Sequence, residues 1–321
     1  MRAIRVTQSG GPEVLTLREV ADPEPSDGEV LVRVAAAGLN FIDVYHRSGA
    51  YGLDLPTGLG LEGAGTVEAV GSDVRDIEVG TRVAWTGRLG SYAELVTVQA
   101  DRVVPVPDTV DLHVAAAVML QGMTAHYLVA STVRLADDHT VLIHAGAGGV
   151  GHLLVQLASA AGARVLTTVS TDEKAQLART AGADEVIDYT EVDFADEVGR
   201  LSPGGVDVVY DSVGRDTFDA SLTCLRRRGH LVLFGQSSGA VEPFDPQRLA
   251  AGGSLYLTRP TLSDYVADAD ELRWRAGELF ERIGDGRLDV RIDRTVPLAE
   301  AADAHRYIEQ RRTRGKVLLL P

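Results

Sequence analysis

Cysteine is almost missing from this chain: Cys224 is the only one in 321 residues. A single thiol excludes an intramolecular disulfide and every metal site built from several cysteines. Cys224 lies in Ser221-Leu-Thr-Cys-Leu225, which reads as helix, and a small buried apolar residue accounts for it better than a nucleophile does. The eight histidines show no paired ligand spacing such as HxxxH. His46, His126, His144 and His305 therefore read as packing or surface residues. Basic residues are also short: 31 Lys and Arg stand against 46 Asp and Glu, a net charge of −15. That balance disfavours a nucleic-acid or anionic-membrane surface, though a few local cations can still hold an anionic ligand. No apolar run approaches the roughly 20 residues of a membrane span. The opening Met1-Arg-Ala-Ile-Arg-Val reads as a strand, with no signal-peptide apolar region. These absences lead to an expectation of a cytoplasmic enzyme.

The stretch Val141-Leu-Ile-His-Ala-Gly-Ala-Gly-Gly-Val-Gly151 carries the most information. Val141 to Ile143 is an apolar run of strand length. Gly146-x-Gly148-x-x-Gly151 follows at once. Leu153, Leu154, Leu157 and Ala161 then recur on one helical face, with Gly162 at its end. Strand, glycine turn and helix together make a dinucleotide-binding fingerprint. The first glycine permits the tight turn, the second lets the backbone approach a pyrophosphate, and the third lets helix and strand pack. Gly149 and Val150 belong to the same turn, and the helix N-terminus offers phosphates unpaired N–H groups and partial positive charge.

On either side the pattern differs. Residues 1 to about 120 are β-rich, with Val30, Val32 and Val34 alternating along a strand over Glu29–Ala35. Further short strands fall at 63–71, 80–85 and 91–98, with glycine corners, which suggests a barrel-like β domain. Asp111–Ala130 reads as helix. Strands then alternate with helices: Arg164–Val169, Val186–Tyr189, Val206–Tyr210, His230–Phe234 and an edge piece, Ser254–Thr258. Such alternation implies a parallel sheet covered on both faces. Asp268–Ile283 and Ala299–Arg311 are amphipathic helices, and Lys316–Leu320 is a last strand, expected to return to the first domain.

Several segments together carry a resemblance. They are Gly10-Gly-Pro-Glu-Val-Leu15, Gly38-Leu-Asn40-Phe-Ile-Asp43, Leu59-Gly-Leu-Glu-Gly-Ala-Gly65, the His144–Gly151 turn, Tyr210-Asp-Ser-Val-Gly214, Phe234-Gly-Gln-Ser-Ser-Gly239 and Thr258-Arg-Pro260. The chain resembles, from end to end, the zinc-independent quinone oxidoreductases, the zeta-crystallin-like branch of the medium-chain dehydrogenase/reductase superfamily. The resemblance implies an α/β fold. A doubly wound Rossmann domain over residues 124–259 would join a discontinuous, β-rich GroES-like catalytic domain over residues 1–123 and 260–321. It implies NADPH as cofactor, hydride transfer to a quinone in the interdomain cleft, and a homodimer. In zinc-bearing relatives a cysteine stands where Asn40 is and a histidine where Leu61 is; neither residue here supplies a thiolate or imidazole. The structural-zinc lobe needs four cysteines, and Trp85–Tyr92 has none. No metal is expected.

The same resemblance assigns the site. Asn40, Tyr45 and Tyr51 match cleft-lining positions. Asn40 would hold either the nicotinamide ribose or a substrate oxygen. Tyr45 and Tyr51 would flank a flat ring and donate hydrogen bonds, or only wall the pocket. Thr124 and Arg259 match positions near the nicotinamide and its phosphates, with a structural ion pair as the other reading of Arg259. Ser212, Phe234, Gly235, Gln236 and Arg311 complete the implied cofactor set. Some relatives carry a lysine where Gln121 stands, so any role of that cation is expected to be absent.

Cofactor choice can be read from the second strand. NAD-binding folds commonly end it in Asp or Glu, which holds the ribose 2′-OH. Here it ends in Ser170, which leaves room for a 2′-phosphate. Lys174 can reach that phosphate, and Tyr189 can donate a hydroxyl. Asp172 and Glu173 keep the opposite reading open, since either can hold a ribose diol. Besides quinone reduction, the motifs admit NADPH-dependent reduction of activated C=C bonds in enones or enoyl thioesters. A non-enzymatic nucleotide- or RNA-binding role is a third reading, and the acidic balance weighs against RNA. The apolar edge piece Ser254–Thr258 is expected to pair across a two-fold axis in a homodimer.

Overall fold

Val30, Val32 and Val34 are buried while Arg33 between them is exposed, as a half-buried strand requires. The strand runs from Glu29 to Leu39, past the expected end at Ala35, because Ala36, Ala37, Gly38 and Leu39 are all buried and alternation no longer marks it. This computed structural model describes all 321 residues, which form two units: Met1–Met123 with Val266–Pro321, and Thr124–Tyr265.

In the first unit Glu29–Leu39 is the hub. It pairs antiparallel with Glu62–Val70, with Leu95–Gln99 and with Lys316–Leu320. Arg82–Thr86 and Val103–Pro105 extend the sheet on one side, and Ile292–Pro297 on the other. A smaller sheet joins Thr16–Glu19, Arg2–Val6 and Thr57–Gly58. The strand expected over 91–98 starts only at Leu95, because Ser91 and Tyr92 donate their N–H groups to Gly60 O and Leu59 O instead. Trp85 fills the core with no exposed surface, and its indole N–H donates to Ser91 Oγ at 2.9 Å. The short helix Phe41–Ser48, not anticipated from periodicity, is set by its ends. Asn40 N donates to Asp43 Oδ2 at 2.8 Å, and Gly49 closes the helix in the left-handed region at φ 84°.

The second unit holds a six-stranded parallel sheet. Its order is Glu185–Asp188, Arg164–Val169, Thr140–Ile143, Val206–Asp211, Leu225–Leu233, Tyr256–Thr258. Numbered along the chain, this is the 3-2-1-4-5-6 order of a doubly wound sheet, whose switch point lies between Thr140–Ile143 and Val206–Asp211. The edge strand is shorter than the expected Ser254–Thr258, since Ser254 takes φ 59° and turns the chain. Cys224 is buried but lies just past the helix Phe218–Thr223 rather than within it.

Two expectations need correction. The helix over Leu112–Thr132 is 21 residues long and apolar enough to meet the length and composition of a membrane span. Much of it is buried within the protein, with 72% of its apolar window enclosed, so it is apolar all round because it is a core helix. Residues 260–265, expected in the first domain, pack with the second unit. The Tyr265 ring stacks on Tyr127 at 4.2 Å, and its hydroxyl accepts from Thr132 Oγ1 at 3.2 Å.

The glycine turn follows Thr140–Ile143, and its helix spans Gly149–Ala160. The residue with positive φ is Ala145, at 57°. The glycines serve close approach: a Cβ on Gly146 would lie 2.0 Å from Thr167 Oγ1, and one on Gly151 2.1 Å from Ala145 O. Gly151→Ala should therefore destabilise the protein by about 1–3 kcal/mol, the usual range for overpacking. Urea unfolding with an unchanged midpoint would show that the turn yields instead.

Candidate active site

Asn40 is 2% exposed and every polar atom of its carboxamide is engaged. Its Nδ2 donates to Glu62 Oε1 at 2.6 Å and, at the limit of a hydrogen bond, to Gly38 O at 3.4 Å. Its Oδ1 accepts from Lys316 Nζ at 2.8 Å and from Gln121 Nε2 at 3.1 Å. Lys316 also forms an ion pair with Glu62 Oε1, and both side chains are essentially without solvent exposure. Glu62 Oε2 accepts from Leu120 N at 2.6 Å. A Cβ on Gly38 would fall 2.3 Å from Glu62 Oε1 and 2.6 Å from Lys316 Cε, so glycine stands there because the ion pair occupies its side-chain space. Burial pushes the Lys316 ammonium well below its ordinary pKa, opposed by the charge of Asp43.

Neither Glu62 nor Lys316 was found by sequence reasoning. Glu62 sits inside the Leu59–Gly65 segment, but a lone acid in a glycine-rich strand carries no sign of a partner. Lys316 heads an apolar strand, where a lysine ordinarily reaches out to water. Gln121, where some relatives carry a lysine, donates to the same amide oxygen as Lys316.

Asn40 opens the helix that carries Tyr45. Tyr45 and Tyr51 lie with ring centroids 5.1 Å apart, and Tyr51 N donates to Tyr45 O at 3.0 Å. Phe41 adds a third ring 5.5 Å from Tyr45. These aromatics and Asn40 belong to the first unit, as does Arg311, which has φ 57° just after the helix Ala301–Glu309.

The other implied residues lie in the second unit. The helix-capping carbonyl of Gly148 accepts from His152 N at 2.8 Å, which leaves the N–H groups of Gly149, Val150 and Gly151 without a preceding helical carbonyl. At the end of the next strand Lys174 Nζ lies 3.4 Å from Ser170 Oγ, and Tyr189, 43% exposed, donates its N–H to Val169 O. Asp172 and Glu173 occupy the first turn of the helix Asp172–Thr180 and are exposed. Ser212, Phe234, Gly235 and Gln236 form two laced loops at adjacent strand ends. Phe234 N and Gly235 N donate to Asp211 O, and a Cβ on Gly235 would meet Ser212 O at 2.6 Å. Thr124 is buried in the core helix, and Arg259 follows the edge strand. His144, read as a packing residue, bridges Thr168 Oγ1 at 3.0 Å and Ser221 Oγ at 2.9 Å. It is buried beneath the glycine turn, and burial lowers its pKa.

The zinc-binding dehydrogenase family matches residues 181–319, and the alcohol dehydrogenase GroES-like domain matches residues 26–108. The chain is 48% identical to a quinone oxidoreductase of Pseudomonas aeruginosa, with 100% of this chain and 99% of that protein covered. The chain belongs to the quinone oxidoreductases of the medium-chain dehydrogenase/reductase superfamily. The structure of the Escherichia coli quinone oxidoreductase complexed with NADPH superposes with a TM-score of 0.98 at 43% identity, covering 100% of both chains. A 2-haloacrylate reductase of Burkholderia sp is 41% identical over 98% of each chain. The α/β architecture, a six-strand parallel sheet with a β-rich GroES-like part, is that of the family.

The family name in one match raises zinc, and the donor set does not suit it. Asn40 and Leu61 offer neither thiolate nor imidazole, and the Glu62 carboxylate is already held by Lys316, Asn40 and Leu120 N. A dinucleotide does suit the second unit. The close approaches at Gly146 and Gly151 leave no side chain over the helix N-terminus, where N–H groups stand ready for phosphate.

Asp43 titrates next to this site. Its Oδ2 accepts from Asn40 N and from Tyr92 Oη, each at 2.8 Å. Burial pushes its carboxyl up from 3.8 to about 6, despite these bonds and the Lys316 charge. A raised folded pKa means a contribution to stability that is full below 3.8 and lost as pH rises through 6. Buried His305, lowered to about 3, acts in the opposite sense: its contribution is full above 6.5 and lost as pH falls. Asp43→Asn removes the first effect and leaves the second. Between neutral pH and pH ~4, wild type should gain up to about 3 kcal/mol in unfolding free energy relative to the variant. A pH-independent difference in urea titrations would refute the raised Asp43 pKa.

Proposed function

We propose that this enzyme transfers hydride from NADPH to a quinone without a metal. The observation that carries the cofactor choice is the end of the second parallel strand, where Ser170 and Lys174 stand together and no carboxylate takes the strand-end position. Gly146, Gly148, Gly149, Val150 and Gly151 would receive the pyrophosphate. Ser170, Lys174 and the Tyr189 hydroxyl would hold the 2′-phosphate. Thr124, Ser212, Phe234, Gly235, Gln236, Arg259 and Arg311 are assigned to the rest of the dinucleotide. Bound NADPH supplies the hydride.

A quinone needs little from a Lewis acid, because the anion formed on hydride addition is aromatic and delocalised. What the protein must supply is position and donors for the developing oxyanion. Tyr45 and Tyr51 are assigned as the walls and donors for a flat ring. The Asn40 N–H that only Gly38 O holds, at 3.4 Å, is the one its partners leave available to a ribose or substrate oxygen. The second reading, reduction of an activated C=C bond, draws support from the 2-haloacrylate reductase, whose named substrate is also a conjugated acceptor. The net charge of −15 argues against RNA as the ligand.

Purified protein should oxidise NADPH in the presence of quinones; turnover of enones alone would transfer the assignment to the second reading. Lys174→Ala should weaken NADPH binding by about 10- to 100-fold, from the loss of a charged hydrogen bond, and leave NADH nearly unchanged. Equal loss for both cofactors would show that Lys174 does not read the 2′-phosphate.

We further propose a cytoplasmic homodimer joined through the second unit's sheet. Tyr256–Thr258 pairs with Leu225–Leu233 on one side only. Tyr256 is 55% exposed, with its ring stacked 4.5 Å from His230. An open edge of this kind is ordinarily covered. Light scattering should give twice the chain mass at micromolar concentration; a monomer would exclude the edge pairing.

A further inference from the structure

The Asn40 carboxamide has two orientations with nearly the same shape, and they present opposite chemistry. One leaves an N–H for a ligand, the other an oxygen. Its neighbours decide between them. Held as an ammonium by its ion pair with Glu62, Lys316 has no acceptor capacity, so the amide atom 2.8 Å from its Nζ has to be oxygen. Glu62 is an acceptor when ionised, so the atom 2.6 Å from its Oε1 has to be nitrogen. Gln121, 3.1 Å from Asn40 Oδ1, does not decide anything by itself, since its own amide can turn round and accept. Glu62 also needs a cation: it is fully buried, and an unpaired carboxylate there would take up a proton and become able to donate. The polarity of the whole cluster therefore comes from one ammonium group, brought from a strand at the far end of the chain.

We propose that Lys316 is a positioning residue, whose ammonium, paired with Glu62, locks the Asn40 carboxamide so that an amide N–H rather than the oxygen is left available for the cofactor ribose or the substrate. This rests on the role given to Asn40 above. The nearly complete burial of Lys316 means that it acts through Asn40 and does not touch the reactants.

Replacing Lys316 alone strands Glu62 in the core and risks the fold, so the test neutralises both. In Glu62→Gln/Lys316→Met the charges are gone, Asn40 Oδ1 loses its fixed donor, and the amide is free to turn. In Glu62→Gln/Lys316→Gln the charges are also gone, but a neutral donor remains. Both should melt close to wild type. The Met pair should lose about 10- to 100-fold in kcat with NADPH, as expected for one hydrogen bond to a charged or developing-charge partner. The Gln pair should recover a clear part of that loss. In an Asn40→Ala background the Met pair should cost nothing further, because the residue it acts through is gone.

Equal kcat for the Met and Gln pairs, wild-type kcat for the Met pair, or a loss that adds in full to that of Asn40→Ala would each overturn the proposal. Unchanged activity of Asn40→Ala would instead remove the reading of Asn40 on which it rests. If neither pair folds, wild-type protein still decides. The Asn40 side-chain amide protons, assigned by their disappearance in Asn40→Ala, should be strongly protected from solvent exchange, as a carboxamide held by Glu62 and Lys316 requires. Exchange as fast as that of an exposed amide would overturn the lock.

Discussion

The ion pair between Glu62 and Lys316 is the constraint on which the first unit turns. Taking two charges out of water costs several kcal/mol each, and a buried pair often does no more than offset that cost. Its value lies in what it forbids. Lys316 begins the strand Lys316–Leu320, whose next residues pair Val317 with Leu39 and Leu318 with Gly38. A slip of one residue would turn Lys316 to the other face and leave Glu62 alone in the core. The register of the C-terminal strand, the glycine at position 38 and the direction of the Asn40 amide are thus three consequences of one contact.

The second unit reaches its chemistry by another route. There the groups proposed to receive a phosphate belong to the backbone, and side chains serve to shape it. Thr167 and Thr168 stand under the glycine turn, Thr167 leaving no room for a side chain at 146 and Thr168 holding His144 Nδ1 and Ala145 N. His144 carries the connection on to Ser221, whose hydroxyl donates to Asp211 Oδ2 at 3.3 Å. Asp211 Oδ1 in turn accepts from Val213 N and Gly214 N. The two strand ends at the switch point of the sheet are therefore linked by one buried hydrogen-bonded chain. Low dielectric strengthens such a chain, and it also explains why each member has a partner.

Legibility in the sequence followed how local each signal was. The parallel strands were readable because each is a short apolar run bounded by turn residues, and the helix after Gly151 because its leucines recur at helical spacing. Ser170 and Lys174 were readable as a pair because they stand only four positions apart, across the Thr171 cap that opens the helix Asp172–Thr180. The helix Phe41–Ser48 was missed because it is only eight residues long and buries Asp43 and Arg47 along with Val44, so its inner face does not look apolar. The buried helix through 112–132 was underestimated as an apolar segment, since alanine, glycine and scattered polar residues interrupt the run that the eye follows. Glu62 and Lys316 were missed because 254 residues separate them and neither carries a mark of burial.

The sequence by itself determined the alternation of strands and helices, the strand–glycine-turn–helix unit at 141–162 and the lack of a thiolate or imidazole at positions 40 and 61. Each depends on residue identity over a short span, where backbone geometry follows from neighbours. Only the tertiary structure decided what Asn40 can offer a ligand and which carboxylates are buried. It also showed that Ala145 rather than a glycine takes the left-handed turn. These depend on which distant groups share a volume from which water is excluded, and desolvation is a property of the packed chain, not of any stretch of it.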